Sequence, residues 1–269
     1  MTTAEPCLPA PPVTTTDVLK AIALLLILVD HVGHFLADEW AILRVIGRLG
    51  VPIFFFLIGF ARRQEIPWSW LALGILLTGV DYLWLGALED VQLNILFNFA
   101  LIRLALPIVE RFIERSFLRL VLLLLGCALL MPLVNPWLEY GAEGWLFAAF
   151  GLMHRKVLAD ASVGPLRDFA ALVAFAVYAV VEQRDYGFGL LNTVLLVLGL
   201  GAIAMILRDF RRGDSRFQPP SGLRRALRFC GRHSLEIYAA QIVLLAALGS
   251  LWSTDGEDTE TGDADDQAA

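Results

Sequence analysis

Long apolar runs constrain this chain more than any other feature of its sequence. A run of roughly 20 mostly apolar residues is long enough to cross the hydrocarbon core of a bilayer as an α-helix. Such runs follow one another here with short polar breaks, at residues 18–37, 42–61, 67–88, 91–110, 117–136, 143–157, 165–182, 187–207 and 227–251. The sequence therefore predicts an all-α fold, a polytopic integral membrane helix bundle with about nine transmembrane helices.

The composition agrees with one membrane domain. Hydrophobic residues make up 58% of the 269, and the mean hydropathy is +0.67, whereas soluble domains are about 45–50% apolar. We expect a disordered N-terminal segment at 1–16, a transmembrane domain at 17–252 and a disordered acidic tail at 253–269, because the tail has few apolar residues to bury. The expected location is the cell membrane, as a multi-pass protein with the lipid bilayer as a partner and no nucleic acid.

The charges of the predicted loops alternate, and cytoplasmic loops are enriched in Lys and Arg. Every second loop is basic and carries Arg62 and Arg63; Arg111, Arg115 and Arg119; Arg155, Lys156 and Arg167; or the eight arginines from Arg208 to Arg232. The loops between them are acidic and carry Asp38 and Glu39; Glu89 and Asp90; Glu139 and Glu143; or Glu182 and Asp185. This alternation predicts an N-terminus inside and a C-terminus outside.

The first predicted span contains ionisable residues in the stretch "LLLILVDHVGHFL". Such residues are costly in a membrane and usually face the bundle interior or a wet cavity. Spacings of three and four place one stripe on a single helical face: Asp17, Lys20, Leu24, Ile27, His31 and His34. Along the axis, Lys20 and His31 are about 16 Å apart. Each of these residues could instead have a purely structural role. A neutral His31 could form a hydrogen bond to another helix, Asp30 could link two helices, and Lys20 could extend toward the membrane–water interface.

The second span places Arg44 and Arg48 on one helical face. Buried arginines near the outer end of a span should pair with a carboxylate, and Asp30, Asp38 and Glu39 are the candidates. The sequence "GRLG" around Arg48 predicts a close approach of two helices, because small residues let backbones come together.

Polar residues recur in later spans. Asp81 in the third span and Arg103 in the fourth could form an ion pair that cancels two costly charges, or they could line a substrate tunnel. In the last span Ser234 and Tyr238 are i,i+4 neighbours, and Gln241 follows. These residues could form hydrogen bonds between helices, or they could belong to a functional site. We find no phosphate-binding glycine loop and no metal-ligand constellation, and we expect no metal site.

Three segments resemble known membrane enzymes. The pair "LKAIALLLILVDHVGHFL" and "RVIGRLGVPIFFFLIGF" resembles the opening of the TraX family, the conjugal-pilin acetylases. The layout is similar to the wider membrane acyltransferase superfamily, which includes the acyltransferase-3 family and the heparan-glucosaminide acetyltransferases. In the acyltransferase-3 pattern a basic residue precedes the first-span histidine by ten intervening positions, as Lys20 precedes His31. The third segment, "CGRHSLEIYAAQIVLL", resembles their last-span motif, with Gln241 where histidine is frequent.

This resemblance implies transfer of an acyl group from acyl-CoA, usually acetyl-CoA, to an amine or hydroxyl. His31 would be the general base, oriented by Asp30 or by a carboxylate further from the substrate, or would itself be acylated. Lys20, Arg62 and Arg63 would hold the phosphates of CoA. The residues expected to support the substrate are Arg48, His34, Asp81, Arg103, Ser234, Tyr238 and Gln241. The acceptor stays open among a glycan, a lipid headgroup and a protein amine.

Two other classes of protein fit the pattern of spans and buried charges. A proton-coupled transporter would use Asp30 and His31 as a relay, although the two halves of the chain show no repeat of the kind that carriers often have. A non-catalytic membrane scaffold would explain the hydrophobicity but not the charged stripe of the first span.

Overall fold

The structure is a computed structural model that describes residues 11–37, 40–62, 65–85, 92–114, 116–217 and 219–260. Several predicted loop residues lie outside these ranges, namely Asp38, Glu39, Arg63, Glu89, Asp90 and Arg115.

The described residues form eleven α-helices. Their bounds are Thr15–Phe35 (α1), Ala41–Arg48 (α2), Val51–Phe60 (α3), Trp68–Leu85 (α4), Ile95–Ile113 (α5), Phe117–Val134 (α6), Gly141–Val157 (α7), Gly164–Tyr186 (α8), Leu190–Arg208 (α9), Ser221–Arg232 (α10) and Ser234–Glu260 (α11). A single 3₁₀ turn, Ala161–Val163, precedes α8. The predicted all-helical class is confirmed.

Six helical segments of the described chain are long and apolar enough to cross a membrane. They are Thr15–Phe35, Ala41–Phe60, Phe117–Val134, Ala161–Tyr186, Leu190–Arg208 and Ser234–Leu251. A shorter apolar helix occupies Trp68–Leu83, and the predicted spans at 91–110 and 143–157 coincide with α5 and α7. The chain is a multi-pass membrane protein, while the count of nine and the orientation stay predictions.

The second span is one helical segment in two parts, α2 and α3. Between them the hydrogen bonds shorten to the i−3 pattern, from Leu49 N to Ile46 O and from Gly50 N to Gly47 O. Pro52 lies in the first turn of α3, where its missing N–H breaks no helical hydrogen bond. A tight turn thus joins α2 to α3 directly after Arg48.

The first and last helices begin and end near the predicted domain boundaries. α1 begins at Thr15, where Thr14 and Asp17 form a capping box. Backbone hydrogen bonds also join residues 13–15 to residues 213–215. At the other end α11 continues to Glu260. Residues 261–269 lie outside the described part of the chain.

The core of the bundle lies between α3 and α7. Phe55 and Phe56 are fully buried on α3, and Phe147 and Phe150 are buried on α7. The two helices approach closely because Gly59 faces the backbone of α7, where a Cβ would lie 1.9 Å from Ala148 O. This central pair fixes the position of the 135–140 turn, which leads into α7.

A second close approach joins α1 and α2. A Cβ at Gly47 would lie 2.2 Å from Asp30 Cβ and 2.5 Å from Asp30 Cα. Only glycine fits this contact, which brings Arg44 and Arg48 of the same helix to the side chain of Asp30. The close approach predicted from "GRLG" is confirmed at this position.

We expect Gly47→Ala to destabilise the fold, because the added methyl group must push α2 away from α1. The loss should reach about 2 kcal/mol or more and should appear as a lower melting temperature of the purified protein in detergent. The matched control is Gly79→Ala in α4, where a Cβ meets nothing within 4 Å; that change should be neutral or stabilising by up to about 1 kcal/mol. Equal melting temperatures of the two variants would contradict the close approach.

Candidate functional site

A polar cavity of about 400 Å³ opens at one end of the bundle. Side chains of α1, α2, α4, α7, α8 and α11 and of the 135–140 turn line it. Its carboxylates are Asp30, Asp81, Glu139, Glu143, Glu182 and Asp185. Its other ionisable groups include Arg44, Arg48, His31 and His34. Acidic residues of several predicted outer loops thus meet in one place.

Two arginines and two carboxylates form a buried ion cluster on one wall of the cavity. Arg44 Nη1 lies 3.1 Å from Asp30 Oδ2. Arg48 Nε lies 3.5 Å from Asp30 Oδ1 and 3.4 Å from Glu182 Oε2. Side chains that are buried to this degree need such partners, because an unpaired charge away from water is very costly. Asp30, one of the three carboxylates that the sequence offered, pairs with both arginines, while Asp38 and Glu39 lie outside the described residues.

Tyrosines complete the cluster. The guanidinium carbon atoms of Arg44 and Arg48 lie 4.9 and 4.7 Å from the ring centroid of Tyr186, and both side chains donate to its hydroxyl. Arg48 also donates to the hydroxyl of Tyr140, whose backbone is left-handed with a φ of 53°. A non-glycine residue keeps that conformation only where its surroundings fix it, as the arginine contact does here.

His31 lies on the cavity wall beside α11. Its ring centroid is 5.8 Å from that of Tyr238, and its Nδ1 is 3.4 Å from Gln241 Nε2. The amide of Gln241 can present either its N–H or its C=O to Nδ1, because the two ends exchange by a flip. With the C=O toward Nδ1, the neutral ring carries its proton on Nδ1 and keeps the lone pair of Nε2 for a substrate.

The structure differs from the expectation that Asp30 orients His31. The oxygens of Asp30 face Arg44 and Arg48, since Asp30 lies about 100° around the helix from its neighbour. The side chain that reaches His31 is Gln241, whose role the sequence left open. His34, one turn further along α1, is exposed and also lines the cavity.

Hydrogen bonds join the 135–140 turn to α5 and α11. Glu139 Oε2 accepts from Ile95 N at 2.8 Å and from Asn94 Nδ2 at 3.4 Å. The same amide of Asn94 lies 3.4 Å from the hydroxyl of Tyr238. Burial raises the pKa of the Glu139 carboxyl to about 7, although the hydrogen bond from Ile95 favours the charged form. Glu139 therefore titrates near neutral pH at the edge of the cavity.

The other predicted site residues lie away from the cavity. Lys20 Nζ donates to Gly231 O at 3.0 Å, and Ser234 is buried at the start of α11. Arg103 donates to Glu65 O at 2.9 Å rather than to Asp81, which lines the cavity. The expected Asp81–Arg103 pair is wrong, because the two side chains lie toward opposite ends of the bundle. Arg62 is exposed, and Arg63 lies outside the described residues.

Some residues of the site were missed as functional candidates by reasoning from the sequence. They are Asn94, Glu139, Tyr140, Glu143, Glu182 and Tyr186. All six lie in, or within four residues of, a predicted acidic outer loop, and that position is a weak signal on its own. Within the described residues, no group of three or more His, Cys, Asp or Glu side chains is arranged to hold a metal ion.

Comparisons with known proteins point to one family. A protein-family model described as TraX protein matches residues 15–214, which include α1 to α9. An uncharacterized protein of Rickettsia prowazekii (strain Madrid E) is 41% identical over 44 residues, which cover 16% of this chain and 18% of that protein. The chain therefore aligns with less than a fifth of this relative. No solved structure shows significant similarity to the chain.

The raised pKa of Glu139 predicts a pH-dependent stability. The folded protein holds the proton more tightly than the unfolded chain, so this stabilisation is complete below pH 4.5 and is lost as the pH rises through about 7. The loss is about 1.4 kcal/mol for each pH unit between the two pKa values. Melting temperatures of the wild type and of Glu139→Gln, measured from pH 5 to pH 8, should converge at low pH and separate at high pH, with the wild type lower. Parallel curves would contradict this assignment.

Proposed function

The chain belongs to the TraX family, and from that premise we propose that it is an acyl-CoA-dependent membrane acyltransferase. It would move an acyl group, usually acetyl, from cytoplasmic acyl-CoA to an amine or hydroxyl acceptor at the membrane or its outer face. The region 17–252 would form the acyltransferase domain. The observation that carries the proposal is His31, a histidine on the wall of a polar cavity with Gln241 at its Nδ1.

His31 has the chemistry of a general base. The lone pair of a neutral imidazole nitrogen can accept a proton, and the C=O of Gln241 would hold the tautomer with a free Nε2. As Nε2 removes the proton of the acceptor, the acceptor nitrogen or oxygen bonds to the thioester carbonyl carbon. The carbon–sulfur bond then breaks, and the imidazolium returns its proton to the departing thiolate of CoA. A two-step route through acetyl-His31 is the alternative.

The charge of the cavity supports entry of the donor from the other end of the bundle. The phosphates of CoA are anions, and six carboxylates surround two arginines that are already paired with Asp30 and Glu182. An acidic cavity repels phosphates. We infer that Lys20, Arg62 and Arg63 contact the phosphates, while the acyl end of the donor reaches His31 along α1.

The acceptor would enter through the cavity. A glycan, a lipid headgroup and a protein amine are all compatible with a polar opening at the end of a membrane bundle. The surrounding bilayer would be that of the cell membrane.

Proton-coupled transport is the alternative reaction class. It would need Asp30 to release and take up protons, but Asp30 is held by two arginines. This contact favours a fixed structural role for Asp30 and therefore supports acyl transfer.

We expect His31→Ala to lower acetyl transfer by at least about 100-fold without preventing insertion, because it removes the base. The measurement is release of CoA and transfer of radiolabel from acetyl-CoA by purified protein in nanodiscs, with crude membrane extract as the source of acceptor. The matched control is His233→Ala, a histidine at the start of α11 whose side chain is 40% exposed. Undiminished transfer by the His31 variant would overturn the assignment, and proton-driven uptake without CoA release would favour a transporter.

We expect Lys20→Ala to raise the KM for acetyl-CoA about five- to tenfold while kcat changes little. The reason is that a phosphate contact stabilises the bound substrate and the transition state equally. Steady-state kinetics over a range of acetyl-CoA concentrations measures this split. Lys156→Ala is the control, since its ammonium group bonds to the carbonyls of Glu110 and Glu114 on another helix. A fall in kcat alone would argue against a phosphate contact at Lys20.

A further inference from the structure

One carboxylate of the cavity has no partner for one of its oxygens. Glu143 lies in the first turn of α7 and is only 5% exposed. Its Oε2 is buried and has no hydrogen-bond partner among the described residues, although the residue lines the cavity. Buried polar groups are almost always hydrogen-bonded, so Oε2 of Glu143 is open to a donor that enters the cavity.

The cationic groups near Glu143 already have partners. Glu182 and Asp185 of α8, and the guanidinium groups of Arg48 and Arg184, are close enough to act on its charge. Arg48 is paired with Asp30 and Glu182, and Nη2 of the mostly exposed Arg184 lies 2.8 Å from Asp185 Oδ1. Among the described residues, Oε2 of Glu143 has no hydrogen-bond partner, and these two arginines are engaged by other carboxylates.

The chemistry of this wall favours a cation with N–H groups. An ammonium group carries three donors and a guanidinium group five, and either group can bond to two carboxylates at once. The described part of the chain contains no group of side chains suited to a metal ion, which favours an organic cation over a metal cation.

We propose that Glu143, with Glu182 beside it, binds a primary ammonium or guanidinium group of the acceptor. Glu143 and His31 line the same cavity, so a cation bound at Glu143 belongs to a molecule that occupies the same space as the proposed base. This inference rests on the proposed acyl transfer, which makes that molecule the acceptor, and it adds that the acceptor carries a positively charged N–H group.

Binding of 1-aminobutane to the protein in nanodiscs, without acetyl-CoA, tests the inference. Calorimetric titration compares the wild type, Glu143→Gln and the control Glu114→Gln, whose side chain is 67% exposed at the other end of the bundle; empty nanodiscs give the background. We expect Glu143→Gln to weaken binding at least fivefold and the control to leave it unchanged. Neutral 1-butanol should not bind at this wall. Equal affinities of the two variants, or equal binding of the alcohol, would overturn the inference.

A second measurement does not depend on the stability of a variant. The butyltrimethylammonium ion carries the same charge and no N–H group, so it should bind to the wild type at least fivefold more weakly than 1-aminobutane. Equal affinity, or displacement of the amine by calcium ions at the same concentration, would show a non-selective acidic surface and contradict the proposal. Because no step needs acetyl-CoA, amine binding at Glu143 in a protein that never releases CoA would overturn the proposed function and leave this site standing.

Discussion

The buried ion cluster of Asp30, Arg44 and Arg48 is the interaction on which the arrangement of this end of the bundle depends. Two guanidinium groups in a membrane-spanning segment need anionic partners, and Asp30 and Glu182 supply them from α1 and α8. The contact exists only because Gly47 lets α2 lie against the backbone of Asp30. The neighbouring helices α1 and α2 and the distant helix α8 are thereby held in one fixed arrangement around the cavity.

The cavity that the cluster lines also holds the two groups on which the proposals rest. His31 lies beside Gln241 and Tyr238 of α11, an arrangement that would suit proton transfer. Glu143 presents a buried oxygen without a hydrogen-bond partner among the described residues, an arrangement that would suit a bound cation. Arg48 pairs with Asp30 and Glu182, so its charge limits the repulsion among the carboxylates.

The sequence predicted the structure correctly where the pattern is periodic or where a charged residue stands in an apolar span. Apolar runs predicted the helices, spacing along α1 placed His31 on an inward face, and two arginines in a span required a carboxylate. It failed where a partner is distant in the chain. The expected Asp81–Arg103 pair assumed that neighbouring spans bring their charges to one depth, but Arg103 bonds to the carbonyl of Glu65 instead. The orienting partner of His31 was sought in the adjacent residue, although that residue points about 100° away.

The sequence by itself determined a helical membrane protein, the family to which it belongs, and the residues that must be satisfied inside the bundle. These properties follow from hydrophobicity and from the helical period, which are local. The tertiary structure decided which carboxylate neutralises which arginine, that Gln241 rather than Asp30 meets His31, and that Glu143 is left without a donor. Such pairings depend on the depth and rotation of helices that are far apart in the chain, and those are set by close contacts such as that of Gly47 with Asp30.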